Sequence, residues 1–235
     1  YPEALAAFES AYEINNSDTT LLYFCATSAD LAKDYPKAVK YYQKMLAVKQ
    51  GLGATYSSLM NVYLTMKDTT SALDILKKGR QSYPNDINLL ISETNYFLRV
   101  NKSQEALSNL NLAIQAKPAD PNLYLVRGNI YDNLANPKDA SGKDIEKPKD
   151  YSNLIGLAET DYKKAIELKP DYFDALYNLG VLYNNQGVEL NKQADKIKDQ
   201  KQYEAATAKA NVQFANALPV LERALEINSK DRNTM

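Results

Sequence analysis

Three asparagines, Asn61, Asn95 and Asn129, recur at intervals of 34 residues. A side-chain amide carries both donor hydrogens and an acceptor oxygen. A row of amides can therefore match the N–H and C=O groups of an extended peptide backbone. The chemistry offered is recognition. Other candidates are weaker. The chain has no His and one Cys, Cys25, which removes Ser-His-Asp and Cys-His arrangements and the commonest zinc ligand. Asp139 to Asp144 suggests a calcium loop, but the closing bidentate Glu is missing and Lys143 intrudes. A solvated loop is the better reading. Gly51-Leu52-Gly53 has no strand before it and no Gly-Lys-Ser/Thr after it, so it is not a phosphate loop. No carboxylate pair stands out for general acid–base work. The expectation is a non-enzymatic protein without cofactor or metal.

Composition narrows the class further. The chain has 235 residues, 28 Lys+Arg against 29 Asp+Glu, and a net charge of −1. No overall basic field exists to grip nucleic acid or an anionic membrane. With 45% hydrophobic and 24% charged residues, the chain has a globular composition. The longest unbroken apolar run, Leu21 to Ala26, is far below the roughly 18 residues of a membrane span. No direct membrane insertion is expected. There is no initiator Met and no leading apolar segment, so the sequence reads as an excised piece.

The elements that would carry the asparagines follow from the same period. Ala4, Ala38, Ala72 and Ala106 stand 34 apart, each followed four residues later by Phe8, Tyr42, Leu76 or Leu110. Pro84 and Pro118 close two of the units. Before each such stretch lies another helical pattern: Leu22, Cys25, Ala26, Ala29, then Tyr56, Leu59, Met60, Tyr63, then Leu90, Glu93, Thr94, Phe97. Tyr124, Arg127, Gly128, Tyr131 and Leu176, Leu179, Gly180, Tyr183 continue it. Offsets of 0, 3, 4 and 7 make one helix face. Each unit is thus a pair of helices. Cys25 falls on that face and reads as a small core residue. Most of the 18 Tyr fall on packing positions too, with Tyr23 and Tyr177 the exceptions.

This pattern resembles the tetratricopeptide repeat family, with its aromatic-x2-Leu-Gly-x2-Tyr, Ala-x3-Phe and Pro positions. The match is most complete in Ala158, Tyr162, Ala165 and Pro170 followed by Leu176, Leu179, Gly180 and Tyr183. The resemblance implies an all-α, right-handed superhelical solenoid of antiparallel helix pairs over 1–235. It divides into a half repeat (1–18), regular repeats (19–52, 53–86, 87–120), and two longer ones (121–170, 171–230), with 231–235 starting another. The first long repeat carries a loop insertion at about 135–152. The second has extended helices at about 187–215, expected as a rigid protruding hairpin, with Pro219 kinking or restarting its return helix. Further repeats are expected on both sides. Glu93 and Arg127 depart from the pattern at a normally apolar place and are expected to form a facing ion pair or to snorkel.

In the resembling family, places two, five, nine and twelve of each first helix line a concave groove. Here Thr27, Asn61, Asn95 and Asn129 hold place nine, and Asn88 and Asn122 hold place two. Tyr23, Ser57, Ile91, Leu125 and Tyr177 hold place five, Leu98 place twelve, and Asn178 lies at place six. These thirteen residues are the expected peptide groove, its asparagines holding backbone and its Tyr, Ile and Leu forming pockets. Equally, Asn at these places can be merely tolerated at solvent. Some family members clamp a chaperone's carboxylate tail with Lys and Arg, but places two, five and six offer no cation. That ligand is therefore not expected. The resemblance implies a scaffold binding a protein or extended peptide. The alternatives are an accessory region of a larger enzyme, sensor or assembly complex, and self-association through the end repeats. A Lys-, Asn- and Tyr-rich repeat chain of this kind also resembles bacterial cell-envelope proteins, implying the envelope or periplasm, with the cytoplasm as alternative.

Overall fold

The structure is a computed structural model that describes residues 1–139 and 141–232, with side chains described to residue 229. Among the described residues there are eleven helices and no strand longer than a single bridge. They fall into two compact units, Tyr1–Ala116 and Lys117–Met235.

The first unit holds α1 (Pro2–Ile14), α2 (Thr19–Leu31), α3 (Tyr35–Ala47), α4 (Leu52–Thr65), α5 (Thr69–Ser82), α6 (Ile87–Arg99) and α7 (Ser103–Ala116). The pairs α2/α3, α4/α5 and α6/α7 are joined by turns of three residues, too short for anything but antiparallel neighbours. Those turns share one backbone solution. Lys33, Lys67 and Asn101 are left-handed, with φ of 60°, 63° and 57°, and they too stand 34 apart. At each, the next residue's N–H donates back across the helix end: Asp34 to Ala29 at 2.9 Å, Asp68 to Tyr63 at 2.9 Å, Lys102 to Phe97 at 2.8 Å. This 6→1 closure satisfies carbonyls that a helix end leaves open. Asp34 and Asp68 then cap the following helices, accepting from the N–H of Lys37 and Ser71. Two consecutive residues thus end one helix and start the next.

Inside the pairs, the period becomes packing. Ala38, Ala72 and Ala106 are fully buried, as are Cys25, Ala26, Leu59 and Met60. Cys25 is a core residue, and burial pushes its thiol pKa up, away from a reactive thiolate.

The second unit holds α8 (Pro121–Ala135), α9 (Tyr151–Leu168), α10 (Phe173–Ala194) and α11 (Gln200–Arg232). The last two, of 22 and 33 residues, are the longest among the described residues. Their seam repeats every seven residues, and their length carries that spacing through three consecutive positions on each helix. Gly180, Gly187 and Ala194 on α10, and Ala210, Ala217 and Ala224 on α11, are buried. A Cβ added to Gly180 would fall 2.5 Å from Leu221, and one on Gly187 would fall 2.6 Å from Phe214. Large residues of α11 fill the notches left by glycines of α10, as knobs fill holes in a coiled coil. Asp199 starts the return helix by accepting from the Gln202 N–H at 2.8 Å. Pro219 does not restart it. α11 runs through Pro219 unbroken, and Ala215, whose carbonyl loses its usual donor there, is exposed, so water can take that acceptor.

The expected facing pair of Glu93 and Arg127 is corrected: each charge finds a different partner inside its own unit. Glu93 takes Arg80 at 3.0 Å and the Asn109 amide at 2.9 Å. Arg127 meets Asp161 through two parallel bonds, Nε to Oδ2 at 2.8 Å and Nη2 to Oδ1 at 2.7 Å. Arg80 and Asn109 come from α5 and α7, and Asp161 from α9, each of them the second helix of a pair.

Candidate functional site

α4 and α6 lie side by side in the first unit. Asn61 and Asn95 project from them into one shallow cavity of about 460 Å³. Leu64, Thr65, Tyr96, Leu98 and Arg99 complete its wall. Both asparagines are exposed, and neither side-chain amide enters a hydrogen bond among the described residues. The Ser92 hydroxyl, part of the cavity wall, is hydrogen-bonded to that of Ser57, tying α4 to α6. Arg99 lies one helical turn after Asn95 and Thr65 one turn after Asn61, so each helix presents two polar groups to the same space.

Of the residues expected in the groove, Asn61, Asn95 and Leu98 line this cavity; Leu64, Thr65, Ser92, Tyr96 and Arg99 line it as well and were not expected. The i+4 spacing from Asn95 is the signal that finds Arg99. Ile91 and Asn88 lie on the exposed surface of α6. On α2, Thr27 spends its hydroxyl on the Tyr23 carbonyl at 3.0 Å, and Tyr23 packs edge-on against Phe24.

The second unit treats its asparagines differently. The Asn129 amide oxygen accepts from the Tyr162 hydroxyl at 2.9 Å and from the Asn178 amide at 2.8 Å. Tyr162 is almost wholly buried, and burial, with Asp132 and Asp161 nearby, pushes its hydroxyl pKa well up. It therefore serves as a neutral donor, and Asn129 is its acceptor. Asn122 is likewise occupied, accepting from Tyr172 at 2.6 Å and donating to Asp120 at 3.1 Å. Leu125 was expected to form an open pocket; instead it is only 7% exposed, because α8 is covered by both α9 and α10. Tyr177 is 49% exposed and stacks on Phe173.

One expectation changes as a result. Asn129→Ala would leave the Tyr162 hydroxyl without its partner, at a cost of about 1–3 kcal/mol. Urea denaturation should register that loss for Asn129→Ala and almost none for Asn61→Ala or Asn95→Ala. Equal stabilities for all three would return Asn129 to the open face.

Among the described residues, no group of His, Cys, Asp and Glu is arranged to hold a metal, and no helix is long and apolar enough to cross a membrane.

Helix pairs with this turn and burial pattern define an all-α helical-repeat protein. The family model described as "TPR repeat" matches residues 157–187, the end of one pair and the start of the next. That segment carries the repeat's sequence pattern, and the helix pairs have the tetratricopeptide-repeat fold. Solved structures share the fold. A crystal structure of MamA protein superposes with a TM-score of 0.59 at 17% identity, covering 92% of this chain and 94% of that one. A second MamA crystal structure gives 0.58 at 18%, covering 88% and 96%. YrrB, described as a TPR protein with an unusual peptide-binding site, gives 0.53 at 18%, covering 96% and 100%. Comparison with curated protein sequences finds no match.

Proposed function

We propose that the first unit is a non-enzymatic interaction module that holds an extended protein segment across α4 and α6. The observation that carries this reading is the pair of exposed, unengaged amides, Asn61 and Asn95, on one cavity. Each offers a donor and an acceptor to a peptide backbone, which binds largely independently of the peptide's sequence. Tyr96, Leu64 and Leu98 add apolar surface beside them, and Arg99 adds a guanidinium suited to an acidic side chain. YrrB, which shares the fold and has a peptide-binding site, lends support by analogy.

The test is selection of binding peptides from a random library displayed against the chain, followed by titration of the selected peptides. Asn61→Ala with Asn95→Ala should remove two neutral hydrogen bonds, about 0.5–1.5 kcal/mol each, and weaken binding roughly fivefold to a hundredfold. Thermal stability should stay nearly constant. Peptides whose affinity ignores the double variant would move the site elsewhere.

A further inference from the structure

Both departures from the 34-residue period meet at one cavity of the second unit. The loop after α8 supplies Lys138, Asp144 and Ile145 to it, and the lengthened part of α10 supplies Asn185, Val188 and Lys192. The last turn of α8 supplies Asp132 and Asn133. The cavity measures about 380 Å³, within the usual range of about 300–1,000 Å³ for small-molecule sites. Its walls are held in place. The Ile145 N–H donates to the Pro137 carbonyl at 3.1 Å, and the Lys138 and Asp144 backbones pair antiparallel across the loop. Lys147 reaches Glu189 of α10 at 3.1 Å while lying over the Tyr151 ring at 4.3 Å.

We propose that this cavity binds a small zwitterion, an α-amino acid or a dipeptide, with its ammonium at Asp132 and its carboxylate at Lys138 and Lys192. Charges of both signs line the space; Lys192 feels the Glu189 carboxylate electrostatically, but no salt bridge joins the two. Asp132, Asp144, Lys138 and Lys192 enter no salt bridge among the described residues, whereas Lys147 and Glu189 are committed to each other. A neutral polyol would use neither sign, and a simple cation or anion would use one. A zwitterion uses both.

Asp132 is the fitting end for the ammonium. It sits in the last turn of α8, where the negative end of the helix dipole adds to its own charge. Burial raises its pKa, and the Asn136 amide, its hydrogen-bond donor at 2.8 Å, only partly offsets that. The carboxylate therefore lacks the counter-charge that an ammonium brings. Asn133 and Asn185 offer amides with no side-chain hydrogen bond among the described residues. Ile145 and Val188, 50% and 39% exposed, offer apolar surface to the ligand's side chain.

The site shares no residue with the Asn61–Asn95 cavity, so it stands or falls without the groove. The experiment is calorimetric titration of the 235-residue chain with glycyl-L-leucine and L-leucine, against putrescine and maltose. Heat of binding is expected from the zwitterions alone. Asp132→Asn should weaken it about tenfold or more. Lys138→Ala with Lys192→Ala, at exposed positions that leave the fold intact, should do the same. Asn61→Ala with Asn95→Ala should leave it unchanged. Binding confined to putrescine or to maltose, indifference to either charge variant, or silence from all four probes to about 10 mM would overturn the proposal.

Discussion

Asp161→Ala is expected to destabilise the second unit by about 3–5 kcal/mol, the cost of leaving one partner of a buried ion pair uncompensated. The Asp161 carboxylate is 4% exposed and meets Arg127 in two parallel bonds. Without it, the guanidinium stays trapped between α8 and α9, 20% exposed and lacking its main anion. Removing both charges is a different matter. Asp161→Leu with Arg127→Met should recover most of the loss, because well-packed apolar pairs often match buried ion pairs in stability. Urea unfolding by circular dichroism checks this, with two transitions allowed for two units and only one expected to move. A single-variant loss below about 1 kcal/mol would place the pair with weak surface bridges.

Gly187→Leu is expected to cost on the order of 1–3 kcal/mol through overpacking, net of the roughly 1 kcal/mol of helix propensity that Leu regains over Gly. Even a single Cβ at this position would stand 2.6 Å from one Phe214 ring carbon and 2.8 Å from two more. The ring is held between α10 and α11 and has little room to retreat. Phe214→Ala added to Gly187→Leu should therefore restore stability, although each substitution alone destabilises. Such a sign in a double-mutant cycle marks direct contact. If the two losses simply add, the residues do not share the notch, and the coiled-coil reading of the α10–α11 seam fails.

The 34-residue period, the helix pairs and the repeat fold were legible in the amino-acid order, because a repeat must present the same small and large residues to each neighbour. Ala38, Ala72 and Ala106 mark it, and all three are buried. The turns were not legible at residue level. Lys33 and Lys67 carry no sign of left-handed backbone, since Gly is the residue that announces it. The α10–α11 seam was missed because its seven-residue spacing of glycines and alanines looks unremarkable until both helices are placed against each other.

The asparagine ladder shows where sequence order stops being sufficient. Asn61, Asn95 and Asn129 occupy one repeat position, and nothing in their spacing separates them. Whether an amide faces solvent or a buried donor depends on what the next helices bring to it. Around Asn61 and Asn95 the cavity stays open. Around Asn129, α9 brings the Tyr162 hydroxyl and α10 brings Asn178, and the same side chain becomes part of the core's polar wiring. A one-dimensional period sets which residues share a face. The partners of that face come from residues 33 and 49 positions away, and only their packing in three dimensions decides which amides remain available to a ligand.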